Sequence, residues 1–303
     1  QSVSSALLAS ARPLEVIVVD DGSTDPATAR WLAQVQALDV ARVRIHRQLN
    51  QGLSGARNAG LALARGPLIQ FLDADDLLTP GKIDAQLAQF DANPQLDVAI
   101  CNFLLADEAG TSFSKPDEAI ADFDLSAEDF LYRWERGMTI PIHCGLFQRR
   151  VLTGFDADAR AKEDWLFWVG LSLGGARFAY VHGHWAIYRQ HPASMRRSYL
   201  RMGQAWLEAG VKINARLQGR EPLFFARTVD WFERCYRANP AYAEEVRDLQ
   251  RAEAGARVSI SPDRGDSVRH DPAVLLAALP VGEGRTPQFS ILVPVFNHYE
   301  YLE

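Results

Sequence analysis

Residues 15–25 read EVIVVDDGSTD, an unbroken apolar run that stops in two carboxylates and a turn. A strand buried on both faces needs such a run, because helices cover both sides of a parallel sheet and leave no polar alternation. Asp20 and Asp21 then fall at the strand's carboxyl end, the edge where open α/β sheets take their ligands. Asp25 before Pro26 is an N-cap followed by a first helical position, so a helix with Trp31, Leu32 and Val35 inward should follow.

The same alternation continues outward. RVRIH (42–46) reads as a strand, SGARNAGLALARG (54–66) as a small-residue helix closed by Gly66, and LIQFLDADD (68–76) as a second apolar strand running into acids. Thr79 and Pro80 should open a helix that buries Ile83, Leu87 and Phe90, with LDVAICNFLL (96–105) the next strand. A helix is expected from about Ser126 to Arg136. HCGLFQRRVL (143–152) reads as a strand leading into a helix, KEDWLFWVGLSL (162–173) as a helix, and RFAYVHGHWAIYRQH (177–191) as a strand pair turning at Gly183. Met202, Trp206, Ile213 and Leu217 share one helical face and read as core. From about residue 218 the chain becomes helical and charge-laced, then loop-like.

Composition narrows the class. The 303 residues are 48% hydrophobic, enough for a packed core, and 32 Lys plus Arg against 38 Asp plus Glu give a net charge of −6. That balance offers no general reason to bind nucleic acid. Cys101, Cys144 and Cys235 are far apart without CxxC spacing, which fits buried thiols in a reducing compartment. The sequence carries no apolar run of membrane-span length and its first residues lack signal-peptide character, so the reading is cytoplasmic. Gln1 in place of an initiator methionine suggests a piece of something longer.

Three stretches carry the chemistry. In LDADD, Asp73 and Asp75 are one residue apart and could share a hard cation that bridges to a diphosphate, or form a solvated turn capping the next helix. Asp20 and Asp21 would lie on the same sheet edge, accepting N–H and O–H donors of a nucleoside or capping their own turn. NQGLSGARNAG (50–60) fits neither the dinucleotide fingerprint nor a P-loop, yet a glycine-rich helix start with Arg57 and Asn58 could approach phosphate; loop-to-helix packing explains it equally well.

Taken together, VIVVDDGSTD, NQGLSGARNAG, LIQFLDADD, KEDWLFW and YRQHPAS resemble, in order and spacing, the inverting glycosyltransferases of family 2, and they cover most of residues 1–200. The resemblance implies an α/β GT-A fold: a mostly parallel sheet flanked by helices, here with a helical C-terminal appendage. It implies a nucleotide-sugar donor, most often a UDP-sugar, with Mn2+ or Mg2+. Carried over by position, Asp75 binds the metal, with Asp73 sharing it or holding the ribose. Asp21, helped by Asp20, holds the base; Arg57 lies near the nucleotide; His191 approaches the metal or diphosphate; and Asp164 is the catalytic base. Arg189, Arg196 and Arg197 around His191 are weaker candidates for an anionic group, as are His143, Cys144 and Trp165 for an acceptor cleft. A glycan or lipid-linked acceptor is implied, with assembly of a polysaccharide at the inner membrane face. The rival readings are a sugar nucleotidyltransferase and a non-catalytic sugar-nucleotide-binding domain.

The chain's ends add one expectation. FSILVPVFNHYEYLE (289–303) is of the type with which the family's sheet begins, and residues 1–15 start inside the helix that should follow it. The division expected is 1–217 for a GT-A domain without its first strand, 218–286 for a helical appendage and connector, and 287–303 for the strand segment that completes the sheet or else starts a following repeat. It would complete the sheet in cis or in a strand-swapped homodimer, from a tandem fragment or a circular permutant. Pro294 and Phe296 would then reach the nucleobase, with Phe296 as the stacking candidate.

Overall fold

The computed structural model describes residues 1–38, 41–116, 119–190, 198–258 and 287–296. Among these, the strands are β1 (Leu14–Asp20), β2 (Val43–Arg47), β3 (Leu68–Phe71), β4 (Leu77–Leu78), β5 (Val98–Ala106), β6 (Phe113–Ser114), β7 (Gly145–Gln148), β8 (Phe178–Arg189) and β9 (Phe289–Val295). They form one sheet in the order β2-β1-β9-β3-β7-β5-β8-β4, with β6 beside β5. The half β2-β1-β9-β3 is parallel throughout. β7 runs antiparallel to both β3 and β5, which makes the sheet mixed.

β9 comes from the far end of the chain and lies between β1 and β3. Leu14 pairs with Phe289 and Asp20 with Val295, while Leu68 to Phe71 pair with Phe289 to Leu292. Every residue of β1 and β9 is buried, as their unbroken apolar runs require. One buried carboxylate locks this register: Glu15 of β1 accepts from Ser290 Oγ at 2.6 Å and from Arg65 N at 2.7 Å, and Ser290 Oγ in turn accepts from Gly66 N.

The helices are α1 (Ser2–Leu8), α2 (Pro26–Leu38), α3 (Gly52–Leu63), α4 (Lys82–Ala92), α5 (Ala127–Tyr132), α6 (Glu163–Leu173), α7 (Tyr199–Leu217), α8 (Phe224–Trp231) and α9 (Pro240–Val258), with a π-helical turn at Phe232–Arg237. Asp25 caps α2 by accepting from Thr28 N at 2.8 Å. α4 starts two residues later than the Thr79–Pro80 signal, because Gly81 takes a left-handed conformation at its N-cap; Ile83, Leu87 and Phe90 are buried as the spacing predicts.

Three expectations are corrected. The described residues of the stretch read as a strand pair, 177–190, do not form one: β8 is one strand, paired with β5 from Val98–Phe178 to Ala106–Arg189, and Gly183 at φ 119° sits in an irregularity that shifts the register. α5 ends at Tyr132, not near Arg136, since Glu135 at φ 57° and Gly137 at φ 102° turn the chain tightly onto Met138. Residues 149–151 form only a 3-10 turn after β7. His191, Arg196 and Arg197, the connector from 259 to 286, and the helix opening expected in 297–303 lie outside the described residues.

Candidate active site

The carboxyl ends of β1, β9 and β3 open into a cavity of about 580 Å³. Asp21, Asn50, Arg57, Asp73, Asp75, Glu163, Asp164, Pro294 and Phe296 line it, together with Glu135, Lys162, Arg201 and Met202 from beyond the sheet. Residues far apart in sequence converge here because parallel strands present all their carboxyl ends on one edge.

The turn after β1 is fixed first. Gly22 stands at φ 80°, and a Cβ there would lie 2.9 Å from Asn50 N, so the turn that aims Asp21 needs glycine on both counts. Asp21 is anchored by Gln48 Nε2 at 2.7 Å and Gln51 N at 2.8 Å, both on Oδ1, and its own N–H donates to Val295 O. Asp20 has a different role. Its Oδ1 accepts from Ser23 N at 2.9 Å and its Oδ2 pairs with Arg47 Nε at 3.0 Å, and it is absent from the cavity lining. Both oxygens of Asp20 are thus engaged within the turn and by β2, while Asp21 is the one that reaches the cavity.

After β3, the three carboxylates of LDADD point to different partners. Asp73 is gripped by Arg57 Nη2 at 2.7 and 2.8 Å through both oxygens. Asp75 is half-buried in the lining. Asp76 turns inward, accepting from Arg189 N at 2.9 Å and lying 3.0 Å from His143 Nδ1. Burial drives the Asp76 carboxyl up to about 6, against the attraction of His143. Among the described residues no group of three or more His, Cys, Asp or Glu stands ready as a closed metal cage. The donor set fits an open site: oxygen ligands alone, with Asp75 at the cavity and Asp73 beside it, leaving the other positions to phosphate oxygens and water as Mg2+ and Mn2+ sites commonly do.

Arg57 is buried and bridges two elements. Its Nη1 also holds Glu163 Oε1 at 2.9 Å, so one guanidinium ties the end of β3 to the start of α6. The two carboxylates outweigh the cost of burying it and raise its pKa further. Beside Glu163, Asp164 lines the cavity, with Oδ1 accepting from Trp165 N at 2.7 Å. Burial and the neighbouring Glu163 push its carboxyl up to about 6, while Lys162 and Arg57 pull it back. Such a pKa suits a group that must hold and release a proton near neutrality.

Pro294 and Phe296 border the same cavity; Phe296 is 41% exposed, so its ring is open to a planar ligand. His143, Cys144 and Trp165 form no acceptor cleft: all three are fully buried, Trp165 stacked on Trp206 at 4.2 Å. Arg189 is buried as well and donates to Gln1 Oε1. Glu135 sits in no motif, Lys162 opens KEDWLFW with no role read for it there, and Met202, read as core, is half-buried in the lining.

The sequence profile of glycosyl transferase family 2 matches residues 1–155. The uncharacterized glycosyltransferase EpsJ of Bacillus subtilis is 30% identical over 214 residues, covering 64% of this chain and 58% of that protein. The succinoglycan biosynthesis protein ExoO of Rhizobium meliloti is 32% identical over 210 residues, covering 65% of this chain and 58% of that protein. The chain thus spans little more than half the length of these relatives. Among solved structures, residues 1–349 of Staphylococcus aureus TarS superpose with a TM-score of 0.54 at 16% identity, over 78% of this chain and 68% of that one. The mannosyltransferase PcManGT of Pyrobaculum calidifontis, in complex with GDP-Man and Mn2+, gives 0.54 at 17% identity, over 86% and 71%. The fold is that of the GT-A glycosyltransferases, and the chain belongs to glycosyl transferase family 2.

Proposed function

We propose that the chain catalyses inverting transfer of a sugar from a nucleotide-sugar donor, a UDP-sugar in the first instance, to a hydroxyl of a glycan or lipid-linked acceptor in polysaccharide assembly. The observation that carries this reading is the convergence of Asp21, Asp73, Asp75 and Asp164 on one cavity at the sheet's carboxyl edge. A sugar nucleotidyltransferase would leave the KEDWLFW segment that carries Asp164 into this cavity without a part to play.

Asp21 accepts from the base, whose face packs on Phe296. Asp73, oriented by Arg57, holds the ribose or shares a cation with Asp75. A Mn2+ or Mg2+ bound there supplies positive charge to the departing diphosphate. Asp164 takes the proton of the acceptor hydroxyl as its oxygen bonds to the anomeric carbon and the bond to diphosphate breaks; a single displacement inverts the centre without a covalent nucleophile. PcManGT holds GDP-Man on the same fold, so guanine is the alternative base to test.

The test is metal-dependent turnover of a nucleotide-sugar panel. Asp75→Ala should abolish turnover stimulated by Mn2+ and leave the melting temperature near wild type, because the substitution removes an oxygen ligand and no core volume. Wild-type turnover in this variant would overturn the metal assignment.

A further inference from the structure

Residues 162 and 163 are anchored to different elements, and Asp164 follows them into the cavity. Glu163 is held from the donor side by Arg57. Lys162 is held by other partners: its ammonium pairs with Glu135 Oε1, and Glu135 Oε2 accepts from the hydroxyl of Tyr236. Tyr236 belongs to the π-helical turn Phe232–Arg237, in the region where no chemistry is read from the sequence.

The backbone at this junction is unusual. Lys162 is the N-cap of α6 at φ 60° and Glu135 stands at φ 57°; both are left-handed conformations that side chains larger than glycine seldom adopt. The two residues are partners in one ion pair. Lys162 makes no side-chain cap to its own helix; its ammonium instead lies 5.9 Å from the Trp206 ring centre and 5.6 Å from that of Tyr236, close enough for cation–π attraction. Gly203 of α7 lets Tyr236 approach, since a Cβ there would be 3.0 Å from Tyr236 Cβ. A π-helical turn is rare and is frequently found at functional sites.

We propose that Lys162, Glu135 and Tyr236 are positioning residues, through which the helices that follow β8 hold the entry to α6 and so aim Asp164 at the acceptor hydroxyl. The proposal rests on Asp164 being the base. The charged groups that face Asp164 are Glu163 and Lys162 beside it and Arg57 from α3; Glu135, Arg201, Asp73 and Asp75 line the same cavity. Lys162 is the residue in the left-handed cap whose charge opposes protonation of Asp164, so its loss should both loosen the aim and raise the pH at which the base becomes competent.

The experiment measures transfer, donor KM and the pH profile of kcat/KM for Lys162→Met, Lys162→Arg, Tyr236→Phe and Asp164→Asn in the same chain. Lys162→Met should lower kcat by about tenfold or more at unchanged donor KM and move the acid limb upward by about half a pH unit. Lys162→Arg should recover the position of the limb, because it keeps the charge. Tyr236→Phe removes one hydroxyl from a packed ring and should lower kcat by about threefold with KM unchanged; it remains informative if Lys162→Met does not fold. Asp164→Asn inactive with wild-type kcat and pH profile in Lys162→Met and Tyr236→Phe would overturn this proposal alone. Asp164→Asn fully active would overturn the base assignment, and the proposal with it.

Discussion

Arg57 joins what would otherwise be two separate sites. A buried guanidinium is tolerable only if its charge is met, and here Asp73 and Glu163 meet it from elements 16 and 106 residues away in sequence. The motifs containing these residues are legible in the sequence as strand ends and helix starts, whose physical signals are local. Their pairing is not legible, because nothing in periodicity or spacing relates residue 57 to residue 163. For the same reason Asp20 and Asp21, identical in type and adjacent, receive different roles only once Arg47 and Ser23 are placed beside the first. At Asp164 the environment makes a testable demand. Its carboxyl, ordinarily near 3.8, is pushed up to about 6, so between those values the folded chain holds more protons than the unfolded one. Stability therefore falls as pH rises through that window. Asp164→Asn should remove this dependence and stabilise the protein at pH 7 by on the order of 1 kcal/mol, while transfer drops by roughly 10² or more and donor binding survives. Denaturant melts at pH 4 and pH 7, with calorimetry of donor binding, read both effects; a variant less stable than wild type at pH 7 would contradict the stated environment.

At the scale of elements, β9 depends on contacts that a strand's own apolar pattern does not contain. Gly66, which sequence reading takes as a helix closer, is in fact the point where backbone meets backbone: a Cβ there would lie 2.6 Å from Phe289 C and 2.8 Å from Ser290 N. Neither atom can swing away as a side-chain end could, so Gly66→Ala should displace β9 and cost about 3 kcal/mol or more. A melt shifted by less than a degree would show that the strand yields easily. Glu15 acts on the same junction. Burial opposes its charge, but hydrogen bonds from Ser290 and Arg65, with Arg65 and Arg44 nearby, outweigh that and hold the carboxyl below its ordinary 4.5. The stabilisation is present above about pH 4.5 and is lost as pH falls through the lower folded value. Glu15→Gln should flatten that acid limb and cost about 1–3 kcal/mol at pH 7, read by equilibrium unfolding across pH. The strand type of 289–295 and the bent β8 mark the two outcomes of reading elements from pattern: apolar runs are seen, whereas a bulge at Gly183 cannot be told from a hairpin turn when both need a glycine.

For the whole molecule, the described helices after β8 pack onto the sheet domain through aromatic rings, above all the Trp165–Trp206 stack that joins α6 to α7. Their helical character is visible in the sequence, but their link to the cavity is not, since Tyr236 and Glu135 sit in no motif. The strongest whole-molecule dependence concerns β9. It lies inside the parallel half, so its removal would leave β1 and β3 with facing unpaired edges and bare the apolar side chains packed against it. Asp21 N donates to Val295 O and Leu72 N to Leu292 O, so the same strand also anchors the two turns that carry Asp21 and the carboxylates of LDADD. A chain ending at residue 286 should therefore lose cooperative unfolding altogether, not merely activity. The measurement is a thermal melt followed by circular dichroism in parallel with calorimetric titration of nucleotide. If the shortened chain melts as sharply and at the same temperature as the full chain, β9 is an ornament on a sheet that closes without it. The same melt with nucleotide binding lost would confine its role to the cavity. The expected outcome is neither: a broad, non-cooperative transition, because a buried central strand supports the sheet and the site through the same hydrogen bonds.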